Sequence, residues 1–495
     1  MSQPDRPIIA VIGAGIAGLA AAWELVSGAG DARSADVHIY EADESLGGKL
    51  RSTQFDGRTV DLAADAFLAR RPEATGLCTE LGIDDRLVPV GASGAAIWAR
   101  GRLRPMPEGL NLGIPTRWWP LVRSGIVSPG EALIAARDLL GLHRGDPTAT
   151  GDRTVGDIVT TRLGRAITER LADPLIGGIN AGNVDLLSAA ATFPPLLAAA
   201  RQPGSLMRRL GQARTASATT ENSASPVFWS LSSSTASLVD LLAEALRGRG
   251  VTFHLRSPVE GLEYRSQPAT GIGRWTVNTA EAASPGEATT GAQSVDAVVL
   301  ALPAGPAASL LSPLAPDAAA LLGSIEYASV TVVTLSVTQG AVTAPLTGTG
   351  FLVPRTSTIS GRPALATGCT YLSRKWPHLS RPGDELVRVS FGRFGDNRHA
   401  DLSDDEIVEA AVAELSELIG LRGTARASMV TRWNDAFPQY RVGHLDRVDT
   451  INAHLAPFHG MALAGAAYRG VGIPACIGSG RTAARLVLDS LAATG

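Results

Sequence analysis

An α/β fold with a dinucleotide-binding core and further lobes built onto it is predicted by three features of this sequence. The first is PIIAVIGAGIAGLAAAWEL followed by VHIYEADESLGGKL, which reads as strand, glycine turn, helix and a second strand ending on an acid. The second is GAAYRGVGIPACIGSGRTAARL near the end, another strand, glycine turn and helix. The third is length: 495 residues exceed the ~250–300 at which one hydrophobic core stops growing, so two or more lobes are required.

In the first stretch each glycine has a separate task. Gly13 permits the tight turn, Gly15 lets backbone approach a pyrophosphate, and Gly18 allows helix to pack on strand, with Ala14, Ile16 and Ala17 between them. The helix that follows presents free N–H groups and a positive dipole end to phosphate. Glu41, followed by Ala42, stands where an acid accepts hydrogen bonds from ribose hydroxyls, about twenty residues past the last glycine. A second pair, Gly47-Gly48, precedes Lys49. Such a pair lets backbone wrap an adenosine and pyrophosphate, and it favours FAD over NAD. In the closing stretch Pro474 suits a first helical position, where a missing N–H costs nothing. That helix N-terminus can face the pyrimidine end of a flavin, whose reduced form carries negative charge there. The other reading is an ordinary βα unit packed on the sheet.

Composition narrows the partners. A net charge of −3 with 45% hydrophobic residues supplies no concentrated basic face for nucleic acid. Cys78, Cys369 and Cys476 are too few and too widely spaced for a disulfide framework or a metal site, which predicts a reducing, cytoplasmic setting. The apolar run Ile8–Val26 is broken by glycines and by Glu24, so it reads as neither signal peptide nor membrane span.

Between the two units the pattern predicts a hairpin turning at Asp56-Gly57 and a helix over Pro72–Leu81. Helical periodicity dominates Gly109 to Gly211, including Glu131–Leu142 and Ile158–Leu171. Ser217–Pro226 reads as a loop, Ser237–Leu246 as a helix and Val251–Leu255 as a strand. Arg265–Val295 carries one strand, Trp275–Asn278, and otherwise loop. Ala297–Pro303 is a buried parallel-type strand; Val330–Val337, Phe351–Pro354 and Leu386–Gly392 are further strands. Asp404–Ile419 is an amphipathic helix capped by Ser403, and Met461–Ala464 and Pro474–Leu488 close the chain.

These segments resemble the flavin amine oxidase superfamily and, within it, the protoporphyrinogen and coproporphyrinogen oxidases. The resemblance is carried by the two glycine units, by VDLAADAFLARRPEA, GRLRPMP and ADPLIGGINAGNVDLLSAAATFP, and by ALPA, IEYASV, GTGFLVP, KWP, RWNDAFPQY and GH. It implies a discontinuous FAD-binding, Rossmann-like domain of amine-oxidase type over 1–95, 230–305 and 430–495. A mainly helical insertion over 96–229 and a mixed-sheet substrate lobe over 306–429 complete the expectation. Two departures stand out: Ser233-Ser234-Thr235 replaces a usual Gly-Gly pair, and Lys49 replaces a usual arginine.

The resemblance further implies the Gram-positive, actinobacterial type, which oxidises coproporphyrinogen III to coproporphyrin III with FAD and dioxygen and releases hydrogen peroxide. Protoporphyrinogen IX is the sister substrate, and a ferrochelatase is the recipient of the porphyrin route. Loose membrane contact fits the type, with the helices near Trp118-Trp119 as its candidate, although buried packing is the simpler reading of that pair. Cofactor contacts then fall on Gly13, Ala14, Gly15, Ile16, Ala17 and Gly18, on Glu41, Ala42 and Lys49, and on Ala63, Ala64, Asp65 and Ala66 passing over the flavin. Val259 offers backbone to adenine, Trp433 packs on the cofactor, and Val471, Gly472 and Ile473 line the pyrimidine end. By residue type alone Val259 reads as a strand-end core residue and Trp433 as a core aromatic. Arg70 and Arg71 are candidate clamps for substrate carboxylates, the alternative being a solvated basic turn. Ile179, Asn180 and Asn183 fall in a loop that approaches the macrocycle. No metal and no protein general base is expected, because the flavin carries the redox chemistry. An amine oxidase of another kind would need aromatic cage residues, and aromatics make up only 5% of the chain. A carotenoid desaturase or a non-catalytic FAD protein that hands porphyrins to a chelatase are the remaining rivals.

Overall fold

Apolar strand residues, buried on both faces, build a five-stranded sheet at the nucleotide end of the chain. Its order is Thr252–His254, Asp36–Tyr40, Ile8–Ile12, Ala297–Leu300 and Met461–Leu463, with every neighbour pair parallel. Burial on both faces is what such Val/Ile/Ala runs require. A computed structural model describes residues 6–27, 35–143, 151–220, 226–266, 273–280 and 290–493. The helices Ile16–Val26, Ser237–Gly248 and Ile473–Ala492 cover one face of the sheet, and Ala304–Leu311, Pro316–Gly323 and His444–Leu455 cover the other.

The first and last helices cross with almost no side chain between them. A Cβ on Gly480 would stand 2.0 Å from the Ala17 carbonyl oxygen, and one on Gly18 would stand 1.9 Å from that of Gly13. Glycine at both positions lets the two helices and the first strand meet at backbone distance.

A seven-stranded mixed sheet forms the second lobe, in the order Ala427–Pro438, Tyr327–Thr338, Asp384–Phe391, Ala366–Tyr371, Gly350–Leu352, Ala96–Ala99 and Arg102–Pro105. This corrects the expected boundaries. Residues 96–105 are an edge of this sheet rather than part of the helical insertion, and Ala427–Pro438 belongs to it rather than to the cofactor domain. The helices over 304–323, assigned to the substrate lobe, pack instead on the nucleotide sheet against Ala10, Ile12 and Val298. Sheet partners hundreds of residues away decided these memberships.

The helical lobe encloses its own core, including Leu121, Ile158, Leu171 and Leu210. Two predicted helices are shorter than expected. Ser128 and Glu131 form a capping box that starts Pro129–Ala136, which then tightens over Arg137–Leu140. There the buried Asp138 pairs with Arg162 and accepts from the backbone N–H groups of Leu206 and Met207. Ile158–Leu171 is interrupted at Gly164, whose φ of +92° closes Val155–Leu163 before a wide π-helix over Thr168–Gly177. Pro174 inside that helix has no N–H to give, which suits the wider hydrogen-bonding register.

The predicted loop at 217–226 is helical through residue 220 in Leu206–Thr220, and residues 221–225 lie outside the described residues. The stretch 265–295 holds two strands, Gly273–Ala280 and Thr290–Val295, in an antiparallel sheet with Val259–Ser266; its loops at 267–272 and 281–289 are outside the described residues. Among the described residues no helix is long and apolar enough to cross a membrane.

His444 ties the second face of the nucleotide sheet to the closing unit. It is fully buried, stacks on Tyr440 at 4.1 Å, and its Nε2–H donates to the Tyr468 carbonyl at 2.8 Å, while Nδ1 has no partner. Burial pushes its pKa down from 6.5 to about 4. Between those values the unfolded chain takes up a proton that the folded chain refuses, so stability falls as pH drops from 6.5 toward 4. Fully developed, a shift of this size is worth roughly 3 kcal/mol. Thermal unfolding followed across that window should therefore weaken more steeply in the wild type than in His444→Gln, which has no imidazole to protonate.

Candidate functional site

The turn after the first strand delivers the cradle. The Gly13 N–H bonds to the Tyr40 carbonyl at 2.8 Å, and the Ala14 N–H bonds to Glu41 Oε2 at 2.8 Å. Glu41 Oε1 also accepts from the Asp43 N–H at 3.0 Å. One carboxylate thus holds the glycine turn and the second strand together. The second glycine pair closes over the first: the Gly47 N–H reaches the Ala14 carbonyl at 2.8 Å, and a Cβ on Gly48 would lie 3.5 Å from Gly15 Cα. Gly47 and Gly48 adopt φ of +97° and +58°, a region that glycine enters freely.

These turns open into a cavity of about 560 Å³ between the nucleotide sheet, the seven-stranded sheet and the π-helix. Of the residues expected to contact a cofactor, Gly13, Gly15, Ile16, Ala17, Glu41, Lys49, Ala63, Ala64, Asp65, Trp433, Val471 and Ile473 line this cavity. Two helix N-termini face it, at Ile16 and at Ile473, and neither has a side-chain cap or an acid in its first turn. Their free N–H groups suit anionic or electron-rich groups of a ligand. A Cβ built on Gly15 meets nothing within 4 Å, so the backbone there is open to a phosphate. The residues fit a flavin dinucleotide: the open backbone at Gly15–Ala17 suits a pyrophosphate, and the uncapped helix end at Ile473 suits an electron-rich ring edge.

Side chains distant in sequence fix this frame. Arg388 donates to the Ala63 carbonyl at 2.9 Å and to the Asp61 carbonyl, anchoring the segment that passes the flavin. Asp65 accepts from Lys375 Nζ at 2.8 Å and from Trp376 Nε1 at 2.9 Å. Burial works to raise the pKa of Asp65, but Lys375 and Arg388 outweigh it and hold the carboxyl at about 2. Asp61 accepts from the Thr235 and Ala236 N–H groups, both at 3.0 Å, and burial lifts its pKa to about 6. That contact accounts for Ser233-Ser234-Thr235: the carboxylate satisfies the helix start, and Thr235 Oγ1 pairs with Ser230 Oγ at 2.8 Å. Much of Lys49 faces the open cavity, but its ammonium rests on the Ala436 carbonyl, where burial draws its pKa down. The Trp433 indole N–H donates to the Leu62 carbonyl at 3.1 Å.

Other predicted residues lie off the cavity wall. Ala14 and Gly18 sit behind the turn as packing, Ala42 is exposed, and Ala66 packs beside Phe55 and Trp376. Val259 packs at the edge of the core around Leu262 and Trp275, two residues past Ser257, whose N–H bonds to the Glu41 carbonyl. Gly472 is the N-cap of the closing helix. Arg70 and Arg71 are exposed and outside the cavity. Pro72 starts a helix immediately after them, and Arg71 pairs with Glu73 at 3.1 Å beside a separate surface cavity. The 180–183 loop comes to the cavity through Ala181 and Gly182, not through its asparagines. Asn180 Nδ2 is spent on the Ile176 carbonyl at 2.8 Å, Asn183 Oδ1 on the Asp185 N–H at 3.0 Å, and Ile179 is 52% exposed. Sequence reading missed Arg388, Lys375, Asp173 and Arg393; Asp173 and Lys375 lie inside the ADPLIGG and KWP segments quoted for the resemblance without a role being given to them, and Arg388 and Arg393 lie in no quoted segment.

The profile of the "Flavin containing amine oxidoreductase" family matches residues 16–488. The chain belongs to this family. Among its amine oxidoreductase kin, a coproporphyrinogen III oxidase of Propionibacterium freudenreichii is 33% identical over 98% of this chain and 92% of its own length. One of Bacillus subtilis is 30% identical over 98% of each chain. A crystal structure from Exiguobacterium sp., provisionally named a protoporphyrinogen oxidase, superposes with a TM-score of 0.81 at 30% identity, covering 98% of this chain and 99% of that one. The cyclohexylamine oxidase of Brevibacterium oxydans, at 14% identity and a TM-score of 0.64, shares the fold. The protein is therefore an FAD-dependent oxidoreductase.

Glu41→Ala removes the carboxylate that holds both the glycine turn and the ribose position. Losing charge-assisted hydrogen bonds of this kind should weaken FAD binding roughly 10–100-fold. Equilibrium dialysis against FAD checks it, with far-ultraviolet circular dichroism to confirm that the fold is kept.

Proposed function

We propose that this flavoprotein oxidises coproporphyrinogen III to coproporphyrin III in haem biosynthesis, with dioxygen as the final electron acceptor. The observation that carries the reading is end-to-end kinship with coproporphyrinogen III oxidases at 28–33% identity, in a chain whose cofactor cradle opens straight into a large apolar-walled chamber. The bound FAD supplies the two-electron chemistry, and a porphyrinogen losing six hydrogens calls on it three times, the electrons leaving as hydrogen peroxide.

The chain's own residues bind, orient and exclude water. The glycine turn and the Ile16 helix end take the pyrophosphate, and Glu41 fixes the ribose. Arg388 holds Ala63–Ala64 in place beside the flavin. Val330, Val332, Val353, Pro174, Phe437 and Pro438 line the remainder of the chamber and give a large macrocycle apolar walls from which water is displaced. Protoporphyrinogen IX shares the ring and differs in its periphery, so it is the competitor to exclude.

Peripheral membrane contact is part of this reading. Trp119, Leu133, Leu140 and Leu142 stand 60%, 64%, 68% and 80% exposed on the helical lobe. The pair Trp118-Trp119 is therefore split, with Trp118 Nε1 bonded to the Ala132 carbonyl and Trp119 left at the surface.

Porphyrin fluorescence under air tests the activity directly. It should rise with both porphyrinogens and faster with coproporphyrinogen III. Flavin-loaded protein that oxidises neither would refute the reading. In vesicle sedimentation Trp119→Ser combined with Leu142→Ser should release any bound protein while leaving turnover in solution unchanged.

A further inference from the structure

We infer that Asp173 is the group in the cavity that accepts the pyrrole N–H hydrogen bonds of the macrocycle and takes the proton lost in each oxidation. This rests on the porphyrinogen reading above. The argument starts from elimination. Among the charged side chains lining the cavity, Glu41 is spent on the Ala14 and Asp43 N–H groups, Asp65 on Lys375 and Trp376, Arg388 on two carbonyls and Lys49 on the Ala436 carbonyl. Arg393 also has a carbonyl partner, its Nη1 donating to Val353 at 3.4 Å, which leaves Asp173 as the lining carboxylate with an oxygen free to accept.

Asp173 is well buried and held in place on the π-helix. Its Oδ1 accepts from the Val184 N–H at 3.3 Å, while Oδ2 makes no hydrogen bond among the described residues and stands 3.8 Å from Arg355 Nε. A Cβ on Gly177 would come within 3.0 Å of Oδ1, so the helix is bare of side chain on that side of the carboxylate. Gly177, Gly178 and Gly182 leave backbone, and little else, around the acid on the cavity wall. A porphyrinogen offers N–H donors at its centre and carboxylates only at its rim. A buried acceptor in an apolar chamber therefore suits the centre of the ring.

The proton balance is simple. With FAD bound, each two-electron oxidation would take a bridge hydrogen as hydride while a pyrrole nitrogen loses its proton. The N–H bond breaks, an O–H bond forms on Asp173 Oδ2, and the nitrogen pair joins the new C=N bond. The proton must leave before the next of the three cycles. Across the three cycles one further bridge C–H proton must return to nitrogen by tautomerisation, so that four C–H and two N–H hydrogens are lost in all. Groups that face Asp173 are Arg355 and Arg393 from the sheet side and Asp185 from its own lobe. Burial raises its pKa, Arg355 and Arg393 oppose that, and Asp185 adds to it; the net direction is upward. Arg393, whose Nη1 donates to the Val353 carbonyl at 3.4 Å and whose Nε has no partner among the described residues, has its pKa drawn down to about 10 by burial and keeps its positive charge beside the acid.

The test compares flavin-loaded wild type with Asp173→Asn and Asp173→Glu, using coproporphyrinogen III as substrate and coproporphyrin III as a binding probe that needs no turnover. Asp173→Asn should lose roughly 100-fold in kcat, a general-base-sized effect, and Asp173→Glu should recover part of it. Wild-type kcat at saturating substrate should rise with pH through a limb lying above the ordinary aspartate value of ~3.9, and that limb should vanish in Asp173→Asn. Flavin content should stay within about threefold, which separates the effect from a structural loss. Coproporphyrin III affinity, by contrast, should fall roughly 10-fold in Asp173→Asn, which loses the charged acceptor of the ring N–H groups, and recover in part in Asp173→Glu. Asp173→Asn with kcat near wild type and the limb intact overturns the assignment. If Asp173→Asn fails to hold flavin, a wild-type kcat flat across the acid range, or a limb unmoved in Asp173→Glu, overturns it instead. Wild type that neither oxidises nor binds porphyrins refutes the substrate reading itself.

Discussion

The close approach of the first strand, the first helix and the closing helix is the constraint on which the site depends. Gly18 and Gly480 lie at backbone contact distances that no other residue can occupy without displacing main chain. Because the two helices cross there, their N-termini at Ile16 and Ile473 emerge on the same side of the sheet, at the carboxyl ends of its strands. This is where open α/β sheets bind nucleotides. A side chain at either glycine would push the helices apart, and the two positive helix ends would no longer address one extended ligand.

Much of this half was legible because it is local. Strand, glycine turn, helix and acid follow one another within a few dozen residues, and each carries a signature of φ, period or charge. The closing unit is equally compact, and the capping box at Ser403 and Glu406 marks Asp404–Ile419 without help from the rest of the chain. Lys49, Ala63, Ala64 and Trp433 were placed by resemblance rather than by pattern, and all of them line the cavity. What failed did so where distant residues decide. Arg70 and Arg71 look like a carboxylate clamp until Pro72 turns the chain into a helix and Glu73 takes up Arg71. Asn180 and Asn183 look like ligand donors until each is seen capping its own loop.

Long-range pairing explains the rest of the misreading. The strand Ala96–Ala99 sits beside a helical stretch in sequence but pairs with Gly350–Leu352 in the seven-stranded sheet. Asp61 and Arg388 are separated by hundreds of residues, yet their bond sets the height of the segment passing the flavin. No composition window contains both partners of such a contact. The same holds for the π-helix: Pro174 and Gly164 mark an irregular helix in the sequence, but only the fold shows that its bare side forms a wall of the chamber.

Two buried carboxylates on the cavity wall show how the environment divides labour. Asp65 sits between Lys375 and Arg388, and their charges overcome burial, so it stays ionised and structural. Asp173 has its nearest cation beyond hydrogen-bond reach, and burial wins, so its charge is costly and its pKa rises. The first can brace the flavin segment at any physiological pH because its protonation never changes there. The second has its charge disfavoured by burial while Arg393 stands charged on the same cavity wall. Environments that push two acids apart in this way are how one protein obtains both a fixed anion and a proton acceptor from the same side chain. A carboxylate whose proton is exchangeable is the group such a chamber lacks otherwise.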